Sequence, residues 1–143
     1  MKLSSRINNG RDILPIMSRS GRSLRPSPAA LLAGALIGAG VTHALVPSLF
    51  DAIVPPWIPG SPRFWTYASG AVEVAVGAAV AAPESRRLGG YAAAALFVGV
   101  FPANVQMAWD WRRKAWPYRA VAYGRLPMQV PMITHALRVA REA

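Results

Sequence analysis

The chain has 143 residues, of which 53% are hydrophobic and only 15% carry a charge, so it has little polar material to coat a soluble domain. Its net charge is +10, but the basic residues cluster in the first 27 positions and beside the ends of apolar stretches, which favours membrane head groups over nucleic acid as partner. With no cysteine and only two histidines, thiol exchange, iron–sulfur ligation and thiolate zinc sites are excluded, and a haem or metal site within one chain is not expected.

Residues 1–27 form the first predicted segment. They are rich in Arg, Ser, Asn and Gly and have no sustained apolar period, so we expect a disordered basic tail in the cytoplasm. A secretory signal peptide is the alternative, but the apolar stretch that follows is longer than the ~7–15 residues of a signal core and lacks a convincing cleavage site. Met17 is a second candidate start, which would shorten only the tail.

Four apolar stretches follow, each long enough to cross ~30 Å of hydrocarbon as a helix. The predicted spans cover about residues 29–50, 63–82, 88–109 and 120–139. Ala, Gly and Val dominate on all sides of each predicted helix, and no helix has a continuous polar face. This pattern favours helices packed in lipid over a soluble helical bundle. The sequence therefore predicts an all-α integral membrane four-helix bundle over residues 28–143, with the lipid bilayer as its partner.

The loops set the expected orientation. The proline-rich loop after the first span and the Trp-rich basic loop at residues 110–119 are both predicted to lie at the membrane interface. With the amino terminus inside, more basic residues flank the cytoplasmic helix ends than the outer ends. This bias predicts a bacterial inner-membrane protein with both termini in the cytoplasm.

Polar residues inside the four spans fall in the outer half of the membrane when each helix is aligned at ~1.5 Å of rise per residue. They are His43, Glu73, Asn104, Gln106, Arg125 and Gln129. Because an unpaired charge near the bilayer centre costs ~2.5–3.5 kcal/mol or more, we expect Glu73 and Arg125 to pair and the other four to satisfy the remaining donors and acceptors. His135 lies near the inner end of the last span and is expected to be an interfacial or packing residue.

Three segments carry a resemblance to a known family: GAGVTHALVPSLFDAIVPPWIPGSPRFWTYASGAVEVAVGA, RRLGGYAAAALFVGVFPANVQMAWDW and AYGRLPMQVPMITHAL. In this order, over about residues 34–138, they resemble the DoxX-like membrane proteins of bacteria, in the branch with a His-containing first span and an IVPPWIP loop. The resemblance implies a four-helix inner-membrane protein linked to respiratory or oxidative-stress redox systems. Members of that family include a subunit of a thiosulfate:quinone oxidoreductase and a partner of a superoxide dismutase and a sulfurtransferase.

The family's motif positions carried onto this chain are the same six polar residues. The absence of cysteine argues against a thiol-relay role for this chain within such a system.

Two functional hypotheses follow. In the first, the chain is an accessory subunit, with no catalytic residue, covalent cofactor or metal site of its own, whose six polar residues form an outer-leaflet pocket for a quinone-like or other amphipathic molecule. Any catalysis would be that of a quinone-linked oxidoreductase subunit beside a redox-enzyme partner. In the alternative, the chain is a structural or assembly protein, and the same residues only lock helix packing. Assembly into a homo-oligomer is compatible with both.

Overall fold

The computed structural model describes residues 26–143, so all of the predicted tail except its last two residues lies outside the described part of the chain. Within the described part, the all-α prediction is confirmed, since no residue is in a strand. The helices are α1 (Pro28–Leu45), α2 (Pro47–Asp51), α3 (Pro62–Ala81), α4 (Arg86–Asp110) and α5 (Trp116–Arg141), with a 3₁₀ turn at Trp111–Arg113 between the last two.

Serine–proline pairs start the first and third helices. The hydroxyl of Ser27 accepts a hydrogen bond from Ala30 N at 3.1 Å, and that of Ser61 accepts one from Phe64 N at 3.2 Å. Each serine satisfies a free amide of the first turn, and the proline after it has the φ that a helix start requires.

The first predicted span, residues 29–50, is not one continuous helix. α1 ends at Leu45, Val46 leaves the helical conformation, and the short α2 begins at Pro47. Proline has no amide hydrogen and its ring clashes with the preceding turn, so the helix breaks there. The break directs α2 across the end of the neighbouring α3.

The long helices pack as two antiparallel pairs, α1 with α3 and α4 with α5, and α3 joins the pairs by lying against α4. The seam between α1 and α5 is much looser than these three interfaces. Glycines permit the close approaches: Gly40 faces Gly70, Gly89 faces the backbone at Val80, and Gly90 faces Ala140.

Two buried apolar clusters lie at opposite ends of the packed helices. The larger one includes Leu36, Val80 and Phe97, and the smaller one is built from Met107 and Ala122 with their neighbours. On α4 the polar residue Asn104 falls between Phe97 and Met107 and is itself buried. The predicted residues His43, Glu73 and Arg125 lie with Asn104 between the two clusters along their helices, and we call these four side chains the polar layer.

Within residues 26–143, three helical segments are long and apolar enough to cross a membrane: Pro28–Leu45, Pro62–Ala81 and Arg86–Arg113. The fourth predicted span, residues 120–139, is helical as part of α5, but α5 is not among the three. Its arginines, glutamine and histidine, with three prolines, lower its mean hydropathy.

Gly89→Ala is expected to destabilise the protein by about 1–3 kcal/mol, because a Cβ there would lie 2.6 Å from Val80 N and the backbone of α3 would have to move. Gly99 is the matched control on the same helix, because a Cβ added there would meet nothing within 4 Å. Gly99→Ala should be neutral or stabilising by up to about 1 kcal/mol, since alanine is the better helix former. Unfolding in detergent measures both, and equal effects would contradict the packing of α3 on α4.

Candidate functional site

His43 and Glu73 meet across the interface of α1 and α3. His43 Nδ1 lies 3.3 Å from Glu73 Oε2, and the two side chains are only 11% and 13% exposed. The same Nδ1 lies 2.8 Å from the carbonyl oxygen of Ala39, to which it donates. Glu73 Oε2 is buried and accepts no hydrogen bond from residues 26–143, so the histidine is close to it without satisfying it.

The position of His43 is set by its neighbours on both sides. A Cβ on Gly70 would lie 2.8 Å from His43 Cβ, so the glycine leaves the space that the histidine uses. On its other side the imidazole stacks on Phe50 of α2, with ring centroids 3.6 Å apart. Since Nδ1 is the donor to Ala39, the neutral ring has its acceptor lone pair on Nε2.

Arg125 and Asn104 form a second polar pair across the interface of α4 and α5. Arg125 Nε donates to Asn104 Oδ1 at 3.1 Å. The predicted direct pairing of Glu73 with Arg125 is wrong: within residues 26–143 the ion pairs under 4 Å are His43–Glu73 and Arg63–Asp51. Glu73 is held beside His43 in one helix pair, and Arg125 is bonded to Asn104 in the other.

The two predicted glutamines have different surroundings. Gln129 is 4% exposed and donates from Nε2 to the carbonyl of Phe97 at 3.1 Å, which links α5 to α4 in the core. Gln106 donates to the carboxylate of Asp110 on its own helix at 3.0 Å. The structure thus brings His43 and Glu73 together and Asn104 and Arg125 together. Gln106 bonds to neither pair and instead contacts Asp110 at the end of α4.

A charged cluster at the start of α3 was not predicted. Asp51 accepts hydrogen bonds from Arg63 Nε at 2.9 Å and from Thr66 Oγ1 at 2.7 Å. Nearby, Trp65 Nε1 donates to the carbonyl of Pro59 at 2.8 Å. These bonds hold the proline-rich loop against α3. The sequence feature that could have predicted this cluster is the placement of Asp51 and Arg63 at the two ends of the proline-rich loop.

The Arg63 and Thr66 hydrogen bonds lower the pKa of Asp51 below its ordinary value of 3.8. A lowered pKa means that the stabilisation is present above the unfolded value and is lost as the pH falls through the lower, folded value. Asp51→Asn should therefore reduce the melting temperature at pH 7 and leave a smaller difference from wild type near pH 3. Arg63→Gln should act in the same direction, and a pH-independent difference for both variants would contradict this assignment.

An apolar groove lies on the outer surface along the loose seam between α1 and α5. Its volume is about 370 Å³. The lining residues are Leu31, Leu32, Ala35, Phe97, Met128, Pro131, Met132 and His135. His135 Nε2 donates to the carbonyl of Pro28 at 3.1 Å, so this histidine joins α5 to the start of α1. We call this feature the α1–α5 groove.

A family model matches most of the chain. It describes a domain of unknown function, DUF8561, and matches residues 32–140, which include all six predicted polar residues. No curated protein and no solved structure matches the chain. The DoxX-like resemblance is thus not tested by these comparisons and stays a prediction. Because the matched region covers most of the sequence, the chain belongs to the DUF8561 family.

Proposed function

We propose that the protein is a four-helix membrane protein in which α5 crosses the bilayer with the three more apolar helices. α5 runs antiparallel beside α4 over most of its length, with contacts from Arg125 at Asn104 to Ala140 at Gly90. A helix paired in this way with a spanning helix spans the same thickness. Arg125 and Gln129 bond to α4, which lowers the cost of their burial in lipid.

The proposed orientation places both termini in the cytoplasm of a bacterium, as the basic residues at the helix ends favour. At the opposite face the turn between α4 and α5 combines aromatic rings with cations: Arg112 lies 4.2 Å from the ring centroid of Trp109 and Lys114 lies 4.5 Å from that of Trp111. Such a surface suits the membrane interface. Because the chain has no cysteine, labelling of Ala143→Cys from each side of the membrane tests the orientation.

We further propose that the polar layer binds the head group of a quinone-like amphipathic molecule, and that the chain is an accessory subunit of a redox system. The observation that carries this is Glu73 Oε2, a buried carboxylate oxygen with no donor among the described residues. Leaving such an acceptor unsatisfied costs about 1–3 kcal/mol, more for a charged group, so a fold that keeps it offers a place for a donor from a ligand.

The geometry favours a ligand with hydroxyl groups on one side. Glu73 Oε2 and His43 Nε2 are both acceptors, and a quinol hydroxyl is a donor. Arg125 uses its Nε for Asn104, and its two terminal nitrogens supply donors for a carbonyl oxygen. A quinone ring carries hydroxyl groups when reduced and carbonyl groups when oxidised. It can therefore use the acceptors of Glu73 and His43 in one form and the donors of Arg125 in the other. The redox context itself rests on the DoxX-like resemblance of the sequence, and the redox centre would belong to a partner enzyme.

The alternative is a structural role, and one observation favours it. The amides of Asn104, Gln106 and Gln129 all find partners within the chain. In that case the polar layer fixes the register of the helices, and the unsatisfied Glu73 oxygen lowers the stability that this arrangement provides.

A thermal-stability assay separates the two functions. A short-tailed quinol should stabilise the detergent-solubilised protein by about 2.7 kcal/mol at a hundredfold excess over its Kd, as any ligand of the folded state does. Extraction in mild detergent should also recover bound quinone. No stabilisation by any quinone or quinol, together with recovery of a ligand-free protein bound to a redox enzyme in fixed ratio, would favour the structural role.

A further inference from the structure

We infer that the α1–α5 groove holds the hydrocarbon tail of the same ligand whose head group the polar layer binds. This inference rests on the proposed function and adds the class of ligand to it. The ligand would be an amphipathic molecule with oxygen atoms on its head group and one long apolar tail.

The chemistry of the groove suits a hydrocarbon chain. Its walls come from apolar residues of α1 and α5, and Met128 and Met132 have flexible side chains that adapt to an irregular chain. His135 is the one polar side chain in the lining, and its Nε2 already donates to the carbonyl of Pro28, which leaves Nδ1 as the one side-chain acceptor there. The groove therefore offers mainly apolar contact and no side-chain donor for the oxygen atoms of a head group. Its volume of about 370 Å³ is near the lower end of the ~300–1,000 Å³ usual for ligand pockets, which suits one tail better than two.

The groove is continuous with the polar layer along one face of α5. Arg125, Met128, Met132 and His135 recur at helical spacing, so they share a face, and ~15 Å of helix separates the first from the last. Phe97 joins the two regions: its side chain lines the groove, and its carbonyl accepts the hydrogen bond from Gln129. A molecule with its head near Arg125 can extend its tail along this face.

The groove also opens toward the lipid, where an amphipathic ligand with a long tail would be dissolved. It lies on the outer surface of the loose interface between α1 and α5, so in a bilayer it faces lipid. A tail can enter sideways from the hydrocarbon without crossing water. Lipid chains compete for the same surface and are as apolar as the tail, so the gain on binding comes only from close packing and is modest.

The test compares two quinones with the same ring, one with a long isoprenoid tail and one with a single isoprene unit, in lipid nanodiscs. Ala35→Phe fills the groove from α1, and Met132→Phe fills it from α5, so that one variant remains if the other fails to fold. Ala75→Phe on α3 is the matched control, because Ala75 is also an exposed alanine but does not line the groove. Circular dichroism and thermal unfolding confirm that each variant is folded.

We expect the groove variants to lower the affinity for the long-tailed quinone about three- to tenfold and to leave the affinity for the short-tailed quinone unchanged. The Ala75→Phe control should bind both quinones as the wild type does. If Ala35→Phe and Met132→Phe leave both quinones unchanged, the tail site is wrong and the head-group site stands. If neither quinone binds the wild type, the proposed function fails and the tail site fails with it. Loss of a co-purified phospholipid, or of a dimer, in the groove variants without any effect on quinone would assign the groove to that other occupant and overturn the inference.

Discussion

Glu73→Gln is expected to abolish quinone-dependent stabilisation while leaving the ligand-free protein as stable as wild type, within about 1 kcal/mol, or more stable. The carboxylate has a buried oxygen without a donor in the described part of the chain, so replacing the charge by an amide removes a cost of folding. The ligand loses a hydrogen bond to a charged acceptor, which is worth about 1.5–3 kcal/mol, or roughly 10- to 150-fold in affinity. Thermal unfolding with and without a short-tailed quinol measures both effects.

Glu84→Gln is the control, since Glu84 is an exposed acid in the loop between α3 and α4. It should change neither stability nor ligand response. The structural role predicts the opposite for Glu73→Gln, a loss of stability of more than about 1 kcal/mol without a specific effect on a ligand. That outcome would remove the main support for the head-group site.

Double-mutant cycles with Glu73→Gln identify the residue that interacts with Glu73. In a double-mutant cycle, Glu73→Gln and His43→Ala should show a coupling energy of about 0.5–3 kcal/mol, because their side chains are in contact. The cycle of Glu73→Gln with Arg125→Gln should show a smaller coupling, since those two side chains form no ion pair within 4 Å among the described residues.

Gln129→Ala is expected to destabilise the protein by about 1–3 kcal/mol even without a ligand. Its amide crosses from α5 to the Phe97 carbonyl in a buried position, and its removal leaves a cavity and loses an interhelical bond. Gln129 was predicted from the sequence as a ligand residue, which stays a prediction, and its contacts show that it also links two helices. Unfolding in detergent, followed by tryptophan fluorescence, measures the change.

Gln106→Ala is the natural comparison, because it makes the same substitution on the adjacent helix. Gln106 bonds only to Asp110 near the end of its own helix, so its loss should cost no more than about 0.5 kcal/mol. Equal losses for the two variants would contradict the packing role of Gln129. A stable Gln129→Ala protein that fails only to bind quinone would support the predicted ligand role.

The sequence by itself determined where the helices lie and which residues are polar within them. Ser27 and Ser61, each followed by proline, start α1 and α3, because hydroxyl caps and the fixed φ of proline act within a few residues. The alternating direction of the helices places Glu73 and Asn104 at a similar level, since the rise per residue is constant. Local geometry suffices for features of this kind.

The tertiary structure decided which polar residues meet. The similar depth of Glu73 and Arg125 and the cost of an unpaired charge predicted that these two residues pair. Instead, α1 packs closely on α3 at Gly40 and Gly70, and this packing places His43 beside Glu73. The α1–α5 groove and the bond of Gln129 to Phe97 depend on how tightly each pair of helices packs. Such distances follow from the fit of glycines and side chains across interfaces, and the spacing of residues along one helix does not contain them.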